Sequence, residues 1–343
     1  VGAALKQTWS RRLAALGARL HGWFARRRKA PAPGRMLPGR KWSARGFLAL
    51  PAPVAPARDY LLYVPSGYTG ESERPLLVWL HGCRQTPQEF AAGTGVLRLA
   101  DEERLLVLLP RQSPAANAER CWNWFDPMTG AGAGEAAIVT AQIEQVVREY
   151  RVDRARIYAA GLSSGGALAA TLALRAPDLV AAVAIHSGMP CGAARSAAGA
   201  RRAMRAGPET DTDAVALEAR ARGHRPAVLP ALIVHGGADP TVAPVNAERL
   251  VRQFLLFNGM PAQELAAQSL PQAARRQLLL QAGPLGAELR DWHIAGRLAV
   301  RLIEIEGLGH AWSGGAAGMD YFDPRGPDAT RLVWEFFRAA RAP

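Results

Sequence analysis

The chain has 343 residues, 49% of them hydrophobic, with a net charge of +13, 34 Gly, 25 Pro and three Cys. That length suits one large α/β domain or two average ones, so core size does not limit the fold. Three cysteines without CxxC spacing exclude a disulfide scaffold and a CxxC-type zinc or redox site, and no 18-residue apolar run marks a membrane-spanning helix.

The charge is concentrated at the front of the chain. Thirteen Lys and Arg residues, and no Asp or Glu, precede Asp59; the remainder is balanced. A broad phosphate-binding surface on that remainder is therefore not expected, and nucleic acid is not an expected partner. Within residues 1–29, Leu5, Trp9, Leu13, Leu16, Leu20, Trp23 and Phe24 recur at helical spacing opposite Arg11, Arg12 and Arg19. This predicts a basic amphipathic helix, which contacts a membrane or polymer-granule surface, packs on the body, or is a partly disordered leader. Its arginines interrupt the apolar run, so it does not read as a standard signal peptide. Residues 30–57, rich in Pro, Gly and Ala, read as a linker, and 58–343 as one large domain.

From Asp59 the pattern alternates short apolar runs with helical stretches. Strands are expected at 60–64, 76–80, 105–109, 157–160, 180–185, 231–234 and 298–305. Helices are expected at 87–100, 135–150, 164–175 and 329–340. Such alternation predicts a mostly parallel sheet with helices on both faces. Residues 193–225 and 263–296 break the rhythm and read as cap-like insertions over the carboxyl edge of the sheet or as peripheral helices.

The chemistry is concentrated in three places. Gly161-Leu-Ser-Ser-Gly165 lies between an apolar strand and the helix-favouring Ala167-Leu-Ala-Ala170. A serine hydroxyl needs an exposed position and an adjacent base to act as a nucleophile, and a GxSxG turn supplies the exposure at Ser163. The backbone N–H of Ser164 and that of Cys83, after the strand ending at Leu80-His-Gly, are candidate donors to the oxyanion of a tetrahedral intermediate. Of seven histidines, His310 in Gly307-Leu-Gly-His-Ala-Trp312 follows the last strong strand, where the general base of an α/β-hydrolase belongs. His293 lies in an irregular stretch, and His186 and His235 end strands, where structural hydrogen bonds are expected. Asp239, reached from the strand 231–234 through His235-Gly-Gly-Ala, is the candidate acid that orients His310; its alternative is an Asx turn before Pro240. The acyl-enzyme chemistry these residues imply needs neither metal nor organic cofactor.

From about Asp59 to Ala340 the chain resembles the polyhydroxybutyrate (PHB) depolymerase family of α/β-hydrolase esterases, related to feruloyl and acetylxylan esterases. The resemblance rests on Tyr60-Leu-Leu-Tyr-Val-Pro65, Leu80-His-Gly-Cys83, Cys121-Trp-Asn-Trp-Phe125, Gly161-Leu-Ser-Ser-Gly-Gly166, His186-Ser-Gly188, residues 235–246, Gly309-His-Ala-Trp-Ser-Gly-Gly315 and Gly326-Pro-Asp-Ala329. It implies a triad of Ser163, Asp239 and His310, oxyanion donors at Cys83 and Ser164, and an ester substrate. It also implies that Cys83 and Cys121 lie close together, as a disulfide in an oxidising compartment, with Cys191 unpaired. Trp122, Trp124 and Trp312 flank the catalytic loops and either line an apolar substrate cleft or pack in the core. The family suggests an extracellular or periplasmic location; a cytoplasmic granule surface is the alternative. Two departures stand out. The chain ends soon after the last predicted helix, whereas depolymerases that attack crystalline polymer commonly carry a separate binding domain, so adsorption to bulk polymer is not expected. Where the family often has a basic pair before the Gly-Glu that opens a helix, this chain has Thr129-Gly-Ala-Gly-Ala-Gly-Glu135.

Overall fold

A computed structural model describes residues 33–39, 42–43, 57–223, 228–265, 270–279 and 284–340. The predicted amphipathic helix at 1–29, together with His21 and His224, lies outside the described residues.

Among the described residues, ten strands form one sheet: β1 (Arg35–Pro38), β2 (Tyr60–Val64), β3 (Arg74–Leu80), β4 (Leu106–Pro110), β5 (Val152–Leu162), β6 (Ala182–His186), β7 (Ala231–Gly236), β8 (Arg275–Leu278), β9 (Ala287–Ile294) and β10 (Arg297–Ile305). Their spatial order is β1-β2-β4-β3-β5-β6-β7-β10-β9-β8. The central run β4-β3-β5-β6-β7-β10 is parallel, and the outer strands are antiparallel.

Parallel strands are covered on both faces and so read as unbroken apolar runs. Leu-Val-Leu-Leu-Pro in β4 and Ala-Val-Ala-Ile-His in β6 are buried throughout. Successive side chains point to opposite faces: Leu76, Val78 and Leu80 of β3 enter one apolar cluster, Leu77 and Trp79 the other. The helices, in chain order, are α1 (Pro87–Thr94), α2 (Val96–Glu103), α3 (Pro127–Gly130), α4 (Gly134–Glu149), α5 (Ser164–Arg175), α6 (Ala197–Ala206), α7 (Thr212–Ala221), α8 (Val245–Asn258) and α9 (Ala329–Ala339). Residues of α4, α5, α7 and α8 fill the first cluster, and residues of α1, α2 and α9 the second.

The structure departs from the sequence expectation in three places. The stretch read as a linker contains β1, which pairs antiparallel with β2, so the body begins well before residue 58. The helix expected over 87–100 is two helices, because Gly95 takes a left-handed φ of 69° that ends α1 and starts α2 at a new angle. Residues 263–296 do not cap the sheet: β8 and β9 extend it, β9 pairing with β10 along its length. Cross-strand ion pairs such as Arg290–Glu304 (2.7 Å) and Arg301–Asp291 (2.7 Å) hold this edge. Residues 193–225 do carry helices, α6 and α7.

Candidate active site

The backbone at the end of β5 sets the position of Ser163. Ser163 has φ 56° and ψ −120°, a conformation costly for a residue with a side chain, and α5 starts at the next residue. Glycines permit the turn. A Cβ on Gly161 would lie 2.5 Å from the Gly165 carbonyl, and one on Gly165 2.2 Å from Leu80 O. The end of β3 therefore packs directly against the turn, which brings the loop after Leu80 beside Ser163. Ser163 N–H donates to His186 O at 2.9 Å, anchoring the turn to β6.

Asp239 and His310 meet because their loops are tied backbone to backbone. Gly237 N–H donates to Ile305 O (2.9 Å) and Ala238 N–H to Leu308 O (3.1 Å). A Cβ on Gly236 would lie 2.2 Å from Leu308 O, so only glycine allows this approach. Across 71 residues, His310 Nδ1 donates to Asp239 Oδ2 at 2.7 Å, which leaves Nε2 with its lone pair. Asp239 Oδ1 accepts from Thr241 N–H and Val242 N–H, both at 2.9 Å. Burial pushes the Asp239 carboxyl upward, but the hydrogen bond and charge of His310, the Val242 N–H and His235 outweigh it and hold it below the ordinary carboxylate value.

The other described histidines have structural partners or face solvent. His81, His186 and His235 are buried. His81 Nδ1 donates to Gly82 O at 2.7 Å and its Nε2 accepts from Gln112 N–H at 3.2 Å. His186 Nε2 accepts from Ser313 N–H (3.1 Å), and its ring stacks on Trp312. His235 Nε2 donates to Val242 O (2.8 Å). Burial lowers the His81 pKa to about 4 and the His186 pKa to about 3, and lowers that of His235, so all three are neutral at neutral pH. His293 is exposed on β9. Of the other acids, Asp291 pairs with Arg301 and Asp213 with Arg252.

Cys83 and Cys121 are joined as a disulfide, with Cα atoms 4.1 Å apart, and Cys191 is free and buried. The bond staples the loop after β3 to the Trp-Asn-Trp loop beside Ser164. The Ser164 hydroxyl lies 3.5 Å from Cys83 Sγ and accepts from Trp122 N–H at 3.3 Å. Trp122, Trp124 and Trp312 are almost wholly buried, at 0%, 5% and 1% exposure, so packing replaces the cleft reading. Trp122 Nε1 donates to His81 O (3.0 Å) and Trp312 Nε1 to Thr330 Oγ1 (3.1 Å). Trp124 packs with Ala167, Met189 and Val242, from segments that flank Ser163 and Asp239. Among the described residues, no group of three or more His, Cys, Asp or Glu side chains is arranged to hold a metal.

Gln112 and Glu135, which brace these loops together with Asn123 of the Cys121-Trp-Asn-Trp-Phe125 motif, are not marked by motif spacing. The one local signal is the Gly-Glu opening of α4, whose carboxylate turns out to be buried.

The strand order, the strand–turn–helix at Ser163 and loops after β7 and β10 that bring an acid to a histidine define an α/β-hydrolase fold. An acetyl xylan esterase from Aspergillus awamori superposes with a TM-score of 0.64 at 18% identity, covering 88% of this chain and 99% of that one, a likeness of fold. Residues 58–270 match the family model described as esterase PHB depolymerase, and the chain belongs to that family. Poly(3-hydroxyalkanoate) depolymerase C of Paucimonas lemoignei is 32% identical over 204 residues, 58% of this chain and 48% of the relative. Feruloyl esterase B of Thermothelomyces thermophilus is 29% identical over 56% of this chain and 68% of its own length. Acetylxylan esterase A of Emericella nidulans is 27% identical over 57% and 66%. The chain thus spans about half the length of the depolymerase it matches and about two thirds of each of these two esterases.

Proposed function

We propose that the protein is a serine esterase that cleaves short carboxylic esters, of the kind found in hydroxyalkanoate oligomers, through an acyl-enzyme. The observation that carries this reading is the 2.7 Å hydrogen bond from His310 Nδ1 to Asp239 Oδ2, made at the same edge of the sheet as the strained Ser163 turn. Family membership and the 32% identical depolymerase support the substrate class.

In this mechanism Ser163 Oγ attacks the ester carbonyl carbon as its proton passes to His310 Nε2. Asp239 stabilises the imidazolium and holds the tautomer. The tetrahedral oxyanion is received by the N–H groups of Cys83 and Ser164; the Ser164 N–H lies at the start of α5, where the first helical donors have no intrahelical partner. Collapse breaks the C–O bond, the leaving alkoxide takes the proton from His310, and water, deprotonated by the same histidine, releases the acid and regenerates Ser163.

Ser163→Ala is expected to lower turnover of p-nitrophenyl butyrate by ~10³-fold or more with the melting temperature retained. A fluorophosphonate probe should label wild type at Ser163 and leave the variant unlabelled. Undiminished turnover in Ser163→Ala rejects the reading. Side-by-side kcat/KM for 3-hydroxybutyrate oligomers, feruloyl esters and acetylated xylan then assigns the substrate; preference for either of the last two replaces the oligoester with a plant cell-wall ester.

A further inference from the structure

Glu135 is a carboxylate with 5% exposure in the first turn of α4, and no step of the proposed mechanism uses it. Burying a charge is costly unless hydrogen bonds and an opposite charge compensate. Here they are supplied. Oε1 accepts from Gln112 Nε2 (2.5 Å) and Asn123 Nδ2 (3.0 Å) and lies 3.5 Å from Arg58 Nη2; Oε2 accepts from the backbone N–H of Asn123 (2.7 Å).

Every one of these partners is a donor, so the site requires an acceptor on both oxygens. From it, two branches lead to the two loops beside Ser163. Along the first, Gln112 Nε2 also donates to Cys121 O (2.9 Å), and Gln112 N–H donates to His81 Nε2. His81 in turn donates to Gly82 O, adjoining Cys83. Along the second, Asn123 fixes its neighbour Trp122, whose N–H donates to the Ser164 hydroxyl and whose indole donates to His81 O. The branches rejoin at the Cys83–Cys121 disulfide.

Resting on the esterase reading above, we propose that Glu135 is a positioning residue: its buried carboxylate sets the spacing of the Cys83 and Ser164 N–H groups that receive the oxyanion. It touches no reacting atom. A displaced oxyanion donor weakens binding of the transition state more than of the ground-state ester, so kcat should fall while KM holds.

Glu135→Gln tests this, because it keeps size but sets an amide N–H against donors. Turnover of p-nitrophenyl butyrate is measured per active site, counted by end-point fluorophosphonate titration, beside the inhibition constant of a trifluoromethyl ketone analogue. We expect kcat per titrated site to drop about 10- to 100-fold, short of the full loss of an oxyanion donor, with KM changed by less than about 3-fold and ketone affinity weakened in step with kcat. If Glu135→Gln yields no folded protein, Asn123→Ala removes one donor to the carboxylate from a half-buried loop. It should give the same pattern at about 3- to 10-fold. Unchanged kcat per titrated site, with only fewer sites or a lower melting temperature, would assign Glu135 a purely structural role and overturn the proposal. An unlabelled, inactive wild type would instead sink the esterase reading.

Discussion

Asp239 fills two roles that its sequence context presents as alternatives. As the acid before Pro240 it closes an Asx turn, Oδ1 accepting from Thr241 and Val242 N–H; as the partner of His310 it uses Oδ2. A carboxylate has lone pairs on both oxygens, so the turn aims the second oxygen at the imidazole. Asp239→Asn should preserve the turn through its remaining carbonyl oxygen and place an amide N–H opposite Nδ1, favouring the tautomer protonated on Nε2. Turnover of p-nitrophenyl butyrate is expected to fall by roughly 10⁴-fold, the size of the corresponding loss in trypsin-like triads, with unchanged circular dichroism. A loss below about 10-fold would remove Asp239 from the orienting role. The turns that carry Ser163, Asp239 and His310 were legible because glycines after apolar strands mark each of them. Glu135 and Gln112 were not. Most of their partners lie 9 to 77 residues away and include backbone groups, which leave no trace in side-chain spacing.

Elements were legible where burial imposes a period. The Ala- and Leu-rich run of α5 is helical over the expected residues, and the continuous apolar runs of β4, β6 and β7 are strands. In contrast, β8 reads Arg-Arg-Gln-Leu and is exposed at every position, so no hydrophobic alternation announces it; pairing with β9 defines it. Likewise β1 sits in a Pro- and Gly-rich stretch and is recognisable through its partner β2. The junction of β3, β5 and α5 is where close approach matters most. Gly165→Ala would put a Cβ 2.2 Å from Leu80 O and 2.5 Å from His81 O, backbone atoms that cannot rotate away. We expect it to destabilise by about 1–3 kcal/mol, as overpacking does, and to lower kcat because the shift moves the Cys83 loop. Gly130→Ala, with nothing within 4 Å of the added carbon, is the control and should change stability by less than about 0.5 kcal/mol. Equal melting temperatures for the two variants would mean that the β3–α5 approach is looser than described.

At the scale of the molecule, the sequence separates a cationic front from a charge-balanced body, and the structure gives that body a distinctive response to acid. Three imidazoles are buried at the carboxyl ends of β3, β6 and β7, next to the loops that carry the candidate site. Burial holds His81 down to about 4 and His186 to about 3, and lowers His235; neighbouring Arg120 and Arg111 reinforce the shift at His81, whereas Glu89 and the Gly82 carbonyl oppose it. In the unfolded chain the same groups titrate near ~6.5. Folded and unfolded states bind the same protons at these sites above that value, so their contribution to stability is complete at pH 7 and higher. As the pH falls below it, the unfolded chain takes up protons that the folded chain refuses, and stability declines toward the folded-state values. Asp239, whose carboxyl is lowered, adds the same sign of effect only below the ordinary carboxylate range of ~4. The window from pH 6.5 to 5 therefore isolates the histidines. Urea unfolding there should show a stability that rises with pH, with a slope of about two protons from His81 and His186 near pH 5, to which His235 adds in the same direction. In His81→Gln, whose amide can occupy part of the hydrogen-bonded position without titrating, the slope should drop by about one proton. A stability flat from pH 7 to 5 would require imidazoles that ionise freely in the folded protein, which is incompatible with His81 accepting from Gln112 and His186 from Ser313 through unprotonated nitrogens.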